Sequence, residues 1–234
     1  MQDTLTYYKL IVVRKSPIQT PSDLYDPLKS LIDDFNSLDP NAFVLYGYSP
    51  AYDTYVVQNK DSSNLNRFLE SSEFTYPFGK LPSDPTHGLN FFSNEQPQFR
   101  VHLHISFFTG TPPPHVPALA ATLQVDTKLI LKQMHQEKMI DTLFSILIQK
   151  LKPEFGYIEL PDMEYSGDRP DSLHVGWITY IAKREREILP EFQQPTVSIV
   201  YEEGRKIYAQ PSLISNDSAE LKNRIALIER QLKE

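Results

Sequence analysis

Ile140-Asp141-Thr142-Leu143-Phe144-Ser145-Ile146-Leu147-Ile148-Gln149-Lys150-Leu151-Lys152-Pro153 runs into Glu154-Phe155-Gly156-Tyr157-Ile158-Glu159-Leu160, and the fold turns on how this stretch is read. Ile140, Leu143, Phe144, Leu147 and Leu151 recur at i, i+3, i+4, i+7 and i+11, the apolar stripe of a helix lying on a core. The helix is expected to begin near Lys132. Pro153 ends it, because proline lacks the N–H and clashes with the preceding turn, and Tyr157 to Leu160 reads as a strand. The same succession occurs earlier in the chain. Asp26-Pro27 is an N-cap residue followed by proline at the first helical position, and Leu28, Leu31, Ile32, Phe35 and Leu38 share one helical face. That helix leaves through Leu38-Asp39-Pro40 into Phe43-Val44-Leu45. Pro153 follows Pro40 by 113 positions, and the same offset carries Leu10, in a strand over 5–14, onto Leu123, in a strand over 122–129. Strand and helix therefore keep register. A duplicated strand–helix–strand–strand unit is expected, with sheet on one side and helices on the other. The fold class is α+β with mainly antiparallel sheet, in a single domain, 1–234, divisible into sub-units 1–117 and 118–234.

Around this frame, 54–58 reads as a strand pairing with 43–46, and 64–73 as a short helix. From Pro77 to Pro117 there are eight prolines in 41 residues, so this segment is expected to be extended loop with one strand, 98–109. Leu173 to Ile181 reads as a strand, and 196–202 and 205–209 as a hairpin turning at Glu203-Gly204. Asp217 and Glu220 resemble a capping box for a closing helix whose apolar face is Leu221, Ile225, Ile228 and Leu232.

Composition removes several function classes. The 234 residues include 8 glycines, 19 prolines and no cysteine. Without cysteine there is no disulfide framework, thiolate zinc site, iron–sulfur cluster or thiol nucleophile. The glycines fall at neither dinucleotide-fold nor P-loop spacing. The opening Met1-Gln2-Asp3-Thr4-Leu5-Thr6 lacks the basic start and apolar run of a secretory leader, and no apolar run approaches a membrane span. A cytoplasmic protein is expected, with no membrane partner and no cofactor. The formal charge of −7 repels nucleic acid and favours basic partners.

Three places could carry chemistry. His102-Leu103-His104 puts two imidazoles on one face of a strand, where they could serve a metal or a phosphate, and a His- or metal-dependent hydrolase is the alternative reading. Phosphoesterases of the paired His-x-Ser/Thr type need two copies, and only His104-Ile105-Ser106 has that form. The acidic run Glu154, Glu159, Asp162, Glu164, Asp168 and Asp171 has no fixed ligand spacing and reads as a solvated loop or as a docking surface for a basic partner. Gly176-Trp177, inside an apolar strand, reads as packing.

His174-Val175-Gly176-Trp177-Ile178-Thr179-Tyr180-Ile181, followed by Leu189-Pro190, a strand, and a hairpin into Arg205-Lys206-Ile207-Tyr208, resembles the Gly-Trp-centred pattern of the immunity protein 52 family. Leu151-Lys152-Pro153-Glu154-Phe155-Gly156-Tyr157 resembles its helix exit and 216–232 its closing helix, so the likeness covers roughly the last 110 residues. The resemblance implies a non-enzymatic α+β inhibitor that binds a cognate bacterial toxin, typically a restriction-endonuclease-like nuclease delivered by a contact-dependent or type VI secretion apparatus. It implies no catalytic, metal or cofactor residue. Gly156, Gly176, Trp177 and Tyr180 would be its structural signature. Joined to the acidic balance, it makes Glu159, Asp162, Glu164, Asp168, Asp171, Glu202 and Glu203 the expected toxin-facing residues.

Overall fold

The computed structural model describes residues 7–19, 21–38, 45–49, 52–57, 86–92, 101–108, 110–114, 116–127, 136–161, 174–185, 190–192, 196–210 and 218–233. Ten strands run in chain order as β1 (Tyr7–Arg14), β2 (Leu45–Ser49), β3 (Tyr52–Val57), β4 (Thr86–Phe92), β5 (Val101–Phe108), β6 (Leu119–Asp126), β7 (Phe155–Glu159), β8 (Ile178–Ala182), β9 (Val197–Val200) and β10 (Gly204–Tyr208). Among the described residues the helices are α1 (Tyr25–Leu38), α2 (Gln136–Leu151) and α3 (Ser218–Lys233), with a 3-10 turn at Pro21–Leu24 before α1. The strands form one sheet in the order β3-β2-β4-β5-β6-β1-β7-β8-β10-β9. Every neighbouring pair is antiparallel, as the α+β reading expects.

At the centre of the sheet, Leu10 of β1 is the cross-strand partner of Leu123 of β6, and both are fully buried. A half-turn about the midpoint of that pair carries residues 7–13 of β1 onto those 113 positions later, 120–126, in β6. Helix ends obey the same offset, α1 closing at Leu38 and α2 at Leu151. Beyond the helices the halves diverge. β7 pairs directly with β1, whereas β2 lies three places out from β6, beyond β5 and β4. The inserted strand β4 falls in the proline-rich segment expected to be loop. Pro85 and Pro97 flank β4 rather than interrupt it, and Leu89 and Phe91 alternate inward to the core. The expected helix over 64–73 lies outside the described residues.

The register aligns side chains into rows across the sheet. Leu89, Ile105, Ala121, Val12, Gly156, Tyr180, Lys206 and Ile199 are successive partners from β4 to β9 and share one face. α2 covers this face, its Phe144 side chain lying against Gly156 and Val12. A Cβ at Gly156 would meet both side chains at 3.0 Å, so glycine there sets how closely α2 approaches. α1 packs beside α2, tied by the Lys150–Asp34 ion pair at 2.9 Å. Just past the end of α2 stands Lys152, a non-glycine residue at φ 48°, whose N–H donates to Ile148 O at 3.0 Å before Pro153 turns the chain into β7. The apolar stripe of α3, Leu221, Ile225, Ile228 and Leu232, belongs to the same core.

The opposite face carries the row Asn90, His104, Thr122, Ile11, Tyr157, Thr179, Ile207 and Ser198. It is closed at the β8–β10 end, where Thr179 and Ile207 are fully buried, and half-open around β5 and β6.

Candidate interaction surface

The β10–β9 end of the sheet is held firmly from below. Lys206 on β10 is buried, and its Nζ donates to Asp141 Oδ1 and Ser145 Oγ of α2, both at 2.6 Å. Tyr208 OH donates to Asp141 Oδ2 at 3.1 Å. Burial pushes the Lys206 ammonium below its ordinary pKa, with Asp141 opposing, while burial and then the Asp141 carboxylate push Tyr208 up. The Lys206 Nζ also stands 5.7 Å from the ring centres of Phe144 and Tyr201, so the root of the β9–β10 hairpin is seated on α2.

The tip of that hairpin is fixed from the side. Sequence places its glycine in the turn, yet Gly204 opens β10 instead, and a Cβ there would lie 2.5 Å from Ile181 O and 2.7 Å from Tyr180 Oη. Glycine is required because Tyr180 crosses over it. Tyr180 OH donates to Glu203 O at 3.2 Å, and Lys183 N–H donates to the same carbonyl at 2.9 Å. Burial, and then the Glu203 carboxylate, raise the pKa of that phenol.

On this support β9 is the last strand of the sheet, and among the described residues none pairs with its outer edge. Val197, Ile199, Val200 and Tyr201 are 39%, 42%, 67% and 45% exposed. Val197, Ile199 and Tyr201 alternate onto the α2 side, forming an apolar stripe along a free edge. Glu202 and Glu203, both exposed, follow at once. Sequence reasoning found the strand and the two carboxylates but not the stripe. The β-branched run Val197-Ser198-Ile199-Val200 looks the same in a central strand as at an edge, so no local signal marks it as open.

The other acidic residues expected to face a partner are differently placed. Glu159 ends β7 opposite Lys9 of β1, pairs with its Nζ at 3.3 Å and is 13% exposed. Asp162, Glu164, Asp168 and Asp171 lie outside the described residues. Glu154, which opens the acidic run in sequence, is buried. It accepts from Lys15 N–H at 2.6 Å, Ser16 Oγ at 2.5 Å and Ser16 N–H at 3.3 Å, and pairs with Arg184 at 2.6 Å. It ties the end of β1 to the α2 exit and to the turn after β8.

The Gly-Trp signature lies beneath this region. Trp177 is buried, its indole N–H donating to Gln210 O at 3.1 Å. Gly176 rests on β7 so closely that a Cβ would sit 2.2 Å from Ile158 O, the carbonyl that accepts Trp177 N–H at 3.0 Å. Gly156 and Tyr180 are partners in the same row.

His102 and His104 project from β5 onto the half-open face. Asn90 Oδ1 lies 3.2 Å from Nε2 of His102 and 2.9 Å from Nδ1 of His104. An amide oxygen only accepts, so each of those nitrogens carries its proton. Burial lowers both imidazole pKa values, with the neighbouring His104 adding to the effect at His102 and Gln124 opposing it. Through Asn90 the pair is tethered to β4. Among the described residues no cluster of three or more His, Cys, Asp or Glu is placed to hold a metal ion, and no helix is long and apolar enough to cross a membrane.

No family model matches the chain, and no curated protein matches it. Among solved structures it is similar to the Pseudomonas aeruginosa T6SS protein PA0821, with a TM-score of 0.59 at 16% identity over 98% of this chain and 76% of that one. At that identity the likeness is one of fold.

Proposed function

We propose that this chain is a non-enzymatic immunity protein, acting in the cytoplasm, that binds and neutralises a cognate toxin of a type VI secretion system, the toxin being a restriction-endonuclease-like nuclease. The observation that carries the reading is the open β9 edge, where four large apolar side chains lie exposed beside Glu202 and Glu203 on a hairpin anchored at root and tip. Soluble proteins ordinarily blunt such an edge, and one left apolar and rigid suits a protein partner. A partner that binds nucleic acid carries basic surface, which the charge of −7 attracts. The secretion setting is supported by the fold shared with a protein described as belonging to that system, and by the resemblance of 151–157, 174–181 and 205–208 to the immunity protein 52 pattern.

Co-expression tests the reading. Cells making the toxin encoded beside this gene should survive when the chain is present, and the two proteins should elute together on gel filtration. Equal killing with and without the chain, and separate elution, would end the proposal.

A further inference from the structure

Resting on that reading, we infer that the partner is held by strand addition: an extended, basic segment of the toxin pairs with the free edge of β9 and extends the sheet to an eleventh strand. The backbone geometry indicates which groups are available. Tyr201 N–H donates to Gly204 O at 2.7 Å across the hairpin. In an antiparallel ladder, residues alternate between those whose main-chain groups face the partner strand and those whose groups face away. With Tyr201 facing β10, Ile199 and Val197 face it as well, and the N–H and C=O of Ser198 and Val200 point outward. The other side of β10 agrees, since Glu203 O and Ala209 N bond towards β8, to Lys183 N and Trp177 O.

A strand laid along this edge takes main-chain bonds from Ser198 and Val200. On the α2 side it covers Val197, Ile199 and Tyr201, which is how a sheet edge joins affinity to side-chain selection. Charge selects the occupant. Glu202 and Glu203 close the β9 end, with Lys183 and Arg205 nearby, and the whole chain is at −7, so two copies meeting edge to edge would repel whereas a basic segment is drawn in.

The test uses the full chain and a catalytically inactive form of the neighbouring toxin. By hydrogen exchange, the Ser198 and Val200 amides should exchange freely in the chain alone and become protected in the complex, while Ile199 is protected in both. Ser198→Pro and Val200→Pro each remove an outward N–H and leave the β10 ladder intact, so each should weaken binding about 10-fold with an unchanged melting profile. Glu202→Lys with Glu203→Lys should slow association most strongly at low salt. A complex in which the Ser198 and Val200 amides stay unprotected overturns strand addition and leaves the immunity reading standing. Failure of the unmodified chain to bind the toxin brings down both. A dimer of the chain alone in which those amides are protected makes a second copy the occupant and overturns the proposal.

Discussion

Glu154→Ala should lower the unfolding free energy by about 2–3 kcal/mol, although the residue stands first in an acidic run that reads as solvated. The carboxylate is 2% exposed and gathers four donors, which truncation leaves in unequal positions. Arg184 is half exposed and also bonds Lys152 O at 2.9 Å, so it turns to water and accounts for no more than about 1 kcal/mol. The Ser16 hydroxyl can rotate. The backbone N–H groups of Lys15 and Ser16 cannot turn away without pulling on the end of β1, and an orphaned donor costs about 1–3 kcal/mol. Both donors keep part of their solvation at the end of β1 and so lie in the lower part of that range, the short Lys15 bond at 2.6 Å at about 1–1.5 kcal/mol and the long Ser16 bond at 3.3 Å at about 1 kcal/mol. For a chain of this length the sum corresponds to a fall in Tm of roughly 4–12 °C. Glu154→Gln keeps the shape and one acceptor oxygen and should lose about half as much. Urea unfolding followed by fluorescence of the single tryptophan, the buried Trp177, measures both variants. An alanine variant within about 0.5 kcal/mol of the parent, at equal m-value, would refute the staple.

Gly176→Ala should be far more damaging than Gly156→Ala. The first Cβ meets the Ile158 backbone at 2.2 Å and breaks the Trp177–Ile158 bond, a loss of at least about 3 kcal/mol, whereas the second meets mainly side chains, at 3.0 Å, which can shift; denaturant midpoints that rank the two the other way would defeat the argument. Lys152→Gly should stabilise by up to about 1 kcal/mol, because it relieves a left-handed non-glycine residue at φ 48°, and a lower midpoint would contradict this. Stability should fall as pH rises above 10.0. Tyr7, Tyr157, Tyr180 and Tyr208 all have raised pKa values, so above 10.0 the unfolded chain releases phenolic protons that the folded chain retains; Lys206, lowered by burial, acts with the opposite sign but is one group against four. Urea midpoints at pH 8 and 11 check it, and Tyr157→Phe should flatten the decline; an unchanged midpoint in the parent would count against the reading.

The two proline-terminated helices, the central strands and the 113-residue offset are legible in the chain because each rests on local periodicity or on a residue type with one conformational meaning. β4 escaped because the density of prolines around it masked an alternating run that contains none. Gly204 was read correctly as marking the hairpin but for the wrong cause: its lack of a Cβ serves Tyr180 rather than the turn. The candidate site divides in the same way. Glu202 and Glu203 could be named from their place in a hairpin, whereas the exposure of Val197, Ile199, Val200 and Tyr201 depends on which strand is last in the sheet.

From sequence alone follow the α+β class, the antiparallel habit, the 113-residue offset that relates the first strand and helix to the second, and the exclusion of thiolate and glycine-loop chemistry. All of these depend on residue spacing and residue type within short windows. Tertiary structure decided where β2 and β7 sit, which carboxylates are staples and which are exposed, and which strand ends the sheet. Those are properties of neighbours far apart in the chain: Glu154 finds donors 138 and 139 residues away, and it is the pairing of β10 with β8 that puts β9, and not β10, last in the sheet.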